Sequence, residues 1–233
     1  MLISYREISR DELSQVLKKH ALWFLGDGKR GARANLSDAN LAGADLSGAN
    51  LAGADLSDAD LCNADLRSAN LRGANLRGAY LGSANLRSAY LGSANLRSAD
   101  LRSADLCNAD LRSAYLGSAN LRSAYLGSAN LRSAYLCNAD LRSAYLGSAD
   151  LCNADLRSAY LGSIRIIQMG PMGSRKDYLV IKRFEDGSTE AMTGCFIGNM
   201  DELEKSVGKT HREDSPYRKQ YTAAIAFANL MLT

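Results

Sequence analysis

Leu111–Asn130 reads LRSAYLGSANLRSAYLGSAN, the same ten residues twice, with alanine and leucine recurring every five. The period runs outward in both directions. From Leu36 to Leu161 every fifth residue is leucine, 26 in succession, and the residue two before each, Ala34 through Ala159, is alanine. The remaining positions draw almost wholly on Asn, Asp, Tyr, Arg, Gly, Ser and Cys. An α-helix turns about 100° per residue, so leucines five apart step by about 140° and form no stripe. A flat strand alternates faces, so an odd spacing sends successive leucines to opposite sides. What buries this pattern is a backbone that bends every five residues and aims each leucine at a common axis, with alanine the largest side chain that fits beside it. The Gly, Ser, Asn and Asp between them suit tight turns, because Gly tolerates positive φ and Asn and Asp hydrogen-bond nearby backbone.

This A(D/N)LXX pattern, sustained over about 130 of 233 residues, resembles the pentapeptide-repeat family. The resemblance implies a mainly β fold: a right-handed quadrilateral β-helix with four pentapeptides per coil, leucine and the alanine two before it lying inside. At a strand spacing of about 4.8 Å, some six and a half coils form a solenoid on the order of 30 Å long. Its stability is expected to be a sum of nearest-neighbour stacking.

With twenty residues per coil, residues twenty apart fall into columns. One column holds Arg102, Arg122 and Arg142, and the opposite face holds Arg112 and Arg132; Tyr115 lies under Tyr135 and Tyr125 under Tyr145. Arginine beside exposed aromatics suits a stripe for an acidic protein or a phosphate backbone. The plainer reading is a solvated arginine ladder with tyrosines packing across coils. Residues 34–66 carry six aspartates and no arginine, whereas 67–163 carry eleven arginines against six aspartates. Overall the net charge of +3 nominates neither nucleic acid nor membrane. Cys62, Cys107, Cys137 and Cys152 share no column, so isolated surface thiols are expected rather than disulfides or a metal site.

The flanks differ in composition, as solenoid caps do. In residues 1–33 a helix is expected, with Ser9 as N-cap, Glu12 completing a capping box, Leu13, Val16, Leu17, His20 and Phe24 on its apolar side, and Gly26 at its end. The stretch HALWFLGDGKRGARANL is similar to the lead-in of phage and bacterial members of the family. The repeat region is bounded at 34–168, with Ile164 and Ile166 closing a degenerate repeat. Residues 169–233 read as a small α+β module: a hairpin around Asp186-Gly187, a helix capped by Asn199, and a last helix opened by Pro216. Tyr217, Tyr221, Ala224, Ile225 and Ala228 line one side of that last helix, with Phe227, Leu230, Met231 and Leu232 elsewhere on it; it either plugs the coil or forms a homodimer contact through Tyr217, Tyr221, Ile225, Phe227 and Leu230.

No catalytic site, cofactor motif or metal-ligand spacing emerges, and a solenoid filled with leucine has no internal pocket. GPMGSRK (170–176) lacks phosphate-loop spacing, and a pairing of Cys195 with His211 reads as structural. The N-terminus lacks a signal-like apolar run and no window approaches the length of a membrane span, so a cytoplasmic protein is expected. The functional expectation is a non-enzymatic scaffold or protein-interaction solenoid, phage-like in character. A gyrase modulator that mimics DNA is the alternative implied by some family members, although twelve Asp against eleven Arg leaves the repeat surface far from broadly negative. A consensus-like or engineered repeat without a partner is the third reading.

Overall fold

A computed structural model of the chain describes residues 5–173, 177–184, 186–193 and 196–232. It divides into two compact units: Met1–Ala149 with Ala154–Tyr160, and Asp150–Asn153 with Leu161–Thr233. Ser174–Lys176 of GPMGSRK and Cys195 lie outside the described residues.

In the first unit the residues preceding leucine bridge in parallel to the residue twenty later, Asn35 to Asp55 and onward to Tyr125 with Tyr145, then Tyr135 with Asp155 and Asp140 with Tyr160, so four pentapeptides close one coil. Each repeat uses its backbone in one way. Leu36 N–H donates to the Asp55 carbonyl, Asp55 N–H returns to the Ala34 carbonyl, and Asp38 N–H reaches the Ser57 carbonyl of the next coil. A fourth bond, Ala39 N–H to the Leu36 carbonyl, closes a β-turn at the corner. The second residue after leucine sits at positive φ in turn after turn, from 55° at Asp38 to 57° at Ser158. That left-handed position explains why Gly, Asn, Asp and Ser occupy it. Inside, Leu36 to Leu146 and the alanines two before them, with Ala44 and Ala49 half-buried as exceptions, are nearly inaccessible, Leu106 and Ala109 at 0 %.

Helix α1 (Arg10–Leu25) and the short strand β1 (Arg6–Glu7) precede the coils, β1 pairing in parallel with β2 (Ala39–Asn40). The Ser9 hydroxyl accepts from Glu12 N–H at 3.1 Å, but the Glu12 carboxylate turns to Arg6 at 3.8 Å, so half of the expected capping box forms. His20 is fully buried, its Nδ1 accepting from Ala34 N–H at 3.0 Å and its ring stacked on Trp23. Phe24, expected on the apolar side, is 44 % exposed; Trp23 takes the inward place beside His20 because the helix presents positions 20 and 23 to the coil. Gly26 caps the helix at φ −101°, and the left-handed turn falls at Asp27 and Gly28. At Gly31, φ 71°, a Cβ would strike the Lys19 carbonyl, so only glycine lets the chain pass this close to α1.

The second unit holds an antiparallel meander in the order β3 (Arg165–Met172), β4 (Asp177–Arg183), β5 (Thr189–Thr193), β6 (Phe196–Gly198). The β4–β5 hairpin turns at Asp186-Gly187, where Gly187 has φ 80°. Ile166 pairs with Lys182 inside β3 and opens no further coil. Helix α2 (Met200–Thr210) starts at a complete capping box between Asn199 and Glu202, and α3 (Pro216–Leu232) begins at the expected proline. Leu179, Ile181 and Ala191 of the sheet meet Leu203, Val207, Tyr221, Ala224, Ile225 and Ala228 in one core. Lys182 is fully buried and pairs with Glu190 at 3.5 Å.

Candidate interaction surface

Every outward column is built by a local rule. Where the residue before leucine is Asp or Asn, its side chain accepts from the following turn: Asp100 Oδ1 accepts the Arg102 N–H at 3.1 Å, while the Arg102 guanidinium closes on the same carboxylate at 2.6 Å. Arg67 with Asp65, Arg112 with Asp110, Arg142 with Asp140 and Arg157 with Asp155 repeat the arrangement. At Asp65, Asp110, Asp140 and Asp155 the arginine's hydrogen bonds hold the carboxyl below its usual range. At Asp100 partial burial pushes the other way and the bonds from Arg102 prevail.

A second rule links coils: the residue after leucine meets the side chain eighteen later. Arg87 reaches Asp105 at 3.2 Å, and Arg97 lies 4.7 Å from the Tyr115 ring centroid, as Arg72 lies 5.1 Å from Tyr90. The Cys137 thiol donates to Asp155 at 2.9 Å by the same register.

Of the sequence-predicted column residues, Arg102, Arg112 and Arg142 are thus chelated by their own aspartates. Arg122 lies exposed beside Asp140, whose carboxyl it helps to hold ionised, and Arg132 is half-buried. Tyr115 and Tyr135 stack at 5.0 Å with planes 5° apart. Tyr125 and Tyr145 are backbone partners, but the Tyr145 ring turns over Gly127 and Gly147, where any Cβ would meet it. A sequence signal announces this: six of the seven repeat tyrosines have glycine two residues on. On α3, Tyr221 and Ile225 belong to the second unit's own core, whereas Tyr217, Phe227 and Leu230 are 38 %, 49 % and 73 % exposed.

The four described cysteines are free, but Cys152 is buried at 2 % and is no surface thiol; its sulfur approaches the Tyr178 carbonyl. Burial, seconded by Asp60 and Asp105, pushes the Cys62 and Cys107 thiols up, and the bond to Asp155 does so at Cys137. Neutral thiols are poor nucleophiles. Among the described residues no group of His, Cys, Asp and Glu is placed to hold a metal ion, and no helix is long and apolar enough to cross a membrane.

Comparison with curated proteins finds no match. Among solved structures the chain is similar to the pentapeptide repeat protein Rfr23 from the cyanobacterium Cyanothece 51142, at 38 % identity and TM-score 0.37 over 41 % of this chain and 63 % of that one. HetL, a pentapeptide repeat protein involved in heterocyst differentiation regulation from Nostoc sp. strain PCC 7120, matches at 35 % identity and TM-score 0.25 over 54 % and 75 %. QnrB1, a plasmid-mediated fluoroquinolone resistance protein, matches at 24 % identity and TM-score 0.48 over 49 % and 59 %. The chain therefore spans less than two thirds of the length of Rfr23 and of QnrB1. Residues 32–157 match the family model for pentapeptide repeats in eight copies. With more than half of its length matched and four repeats closing each coil, the chain belongs to the pentapeptide repeat family, whose members form right-handed quadrilateral β-helices.

Proposed function

We propose that this protein is a non-enzymatic scaffold that presents side-chain columns to a protein partner in the cytoplasm. The observation that carries this reading is the interior: leucines and alanines at 0–2 % exposure fill most of the solenoid and leave no substrate cavity inside the described coils. Residues 1–33 serve as an N-terminal helical cap to the β-helix of 34–168, with 169–233 as an α+β module. Capping is supported by β1, which pairs with an edge that would otherwise recruit another chain. A homodimer through the outer side of α3 completes the proposal, because Phe227 and Met231 are 49 % and 53 % exposed on a helix whose other side fills a core.

The test is affinity capture by the full chain, followed by reconstitution with the purified partner and its stoichiometry by light scattering. A defined complex supports the scaffold. Titration of the chain into a gyrase supercoiling assay discriminates the alternative: inhibition or drug protection at micromolar concentration transfers the assignment to a topoisomerase modulator. Light scattering of the Phe227→Ser, Met231→Ser variant tests the dimer, which is wrong if the native chain runs as a monomer. Should native and variant chains share one dimeric mass, the α3 contact is excluded.

A further inference from the structure

The two pairing rules single out a small area of the repeat surface. Nine of the eleven repeat arginines have an aspartate two residues before, eighteen after, or, for Arg72, in Asp110 at 3.7 Å. Arg77 and Arg97 have none: Asn75 precedes Arg77, Asn95 both follows it at eighteen and precedes Arg97, and Tyr115 lies eighteen beyond Arg97. These two arginines occupy the same column in adjacent coils, about 4.8 Å apart along the axis. Arg97 rests on Tyr115, which stacks on Tyr135, itself 46 % exposed. Gly117 follows Arg97 in its column, so that position of the next coil adds no side chain beside the guanidinium, which has the Tyr115 ring as its neighbour. Asp58 folds over Gly78, and among the described residues it makes no ion pair with Arg77.

We infer that Arg77, Arg97, Tyr115 and Tyr135 form a docking strip for a short acidic, aromatic-containing segment of a partner protein. The inference rests on the scaffold reading and names its partner class. Two uncompensated guanidiniums each donate a fork of hydrogen bonds to a carboxylate, and the paired rings extend to a third aromatic. The strip covers about three coil spacings, close to the reach of five extended residues. Its ends decide between a peptide and a nucleic acid strand. The column that carries the tyrosines has Asp55 on one side of the strip and Asp155 on the other, so a run of phosphates meets carboxylate in both directions. A single strand needs a continuous positive groove.

The probe is a fluorescein-labelled pentapeptide of four glutamates around a central tyrosine, read by anisotropy against the full chain. Arg77→Ser with Arg97→Ser, and Tyr115→Asn with Tyr135→Asn, use residues the same columns already carry at Ser37, Ser57, Asn75 and Asn95, and circular dichroism checks that each variant folds. The double arginine variant is expected to bind about tenfold more weakly, the scale of two exposed charge-assisted contacts. The double tyrosine variant is expected to lose about threefold, and Arg102→Ser with Arg142→Ser to bind as the native chain does. Absence of peptide binding, an equal loss in the Arg102/Arg142 variant, or tighter binding of a ten-nucleotide oligothymidylate overturns the strip. If the strip fails while a purified partner still assembles at fixed stoichiometry, the scaffold stands and only its docking site is wrong.

Discussion

At the scale of single residues the fold rests on a compromise between burial and backbone strain. Leucine and alanine recruit the axis, but each corner places a residue at positive φ, and in most central repeats that residue is serine, as at Ser103 with φ 56°. A non-glycine residue in the left-handed region is strained by about 1–2 kcal/mol. Ser103→Gly is therefore expected to match or raise stability, whereas Ser103→Val lowers the urea midpoint; equal midpoints for the two would contradict the strain argument. His20 gives a pH dependence. Burial lowers its pKa, Arg33 acting in the same sense and the Ala52 backbone opposing it, and Nδ1 already accepts the Ala34 N–H. The folded chain thus holds the proton less tightly than the unfolded one, so stability is full above about 6.5 and falls as pH drops below it. The aspartates, held below their usual range, contribute losses only in stronger acid. A urea midpoint lower at pH 5 than at pH 7, with the difference reduced in His20→Gln, is the expected result.

Elements here owe their limits to side-chain chemistry that can be tested one bond at a time. Helix α2 begins where Asn199 accepts the Glu202 N–H and Glu202 accepts the Asn199 N–H, both at 2.9 Å. Asn199→Ala is expected to destabilise the second unit by about 1 kcal/mol, seen in hydrogen exchange of residues 200–203. In the meander, the Lys182 ammonium sits in a buried place and faces Glu190. Glu190→Ala removes that carboxylate and is expected to cost about 3 kcal/mol, while Lys182→Met is close to neutral. Thermal melts of both variants decide whether the pair stabilises the sheet or is merely tolerated there.

For the whole molecule, the repeat makes a modular prediction. Deleting residues 101–120 removes one coil and returns every column to register, so the shortened chain is expected to keep its β-helix with a lower unfolding free energy. Deleting 101–103 breaks the period of five and is expected to disorder the coils beyond it. Circular dichroism and urea unfolding of the two deletions check this; equal damage from both would contradict nearest-neighbour stacking of interchangeable coils.

The amino-acid sequence determined the solenoid by itself, because an odd period shared by leucine and alanine is compatible with neither a helix stripe nor a flat strand. It equally determined the β4–β5 hairpin, the Asn199 cap and the column register, which depend on local chemistry or on counting by twenty. The tertiary structure decided which outward groups are chemically available. The residue two before marks Arg102 for closure on Asp100, but that Arg97 lies over a tyrosine from the next coil is visible only in the fold. It also decided that Trp23 rather than Phe24 turns inward and that Cys152 is covered. The physical reason is common to the Arg97 stack, Trp23 and Cys152: each depends on neighbours brought together from separate parts of the chain, Tyr115, the first coil and Tyr178, and no local propensity encodes that meeting.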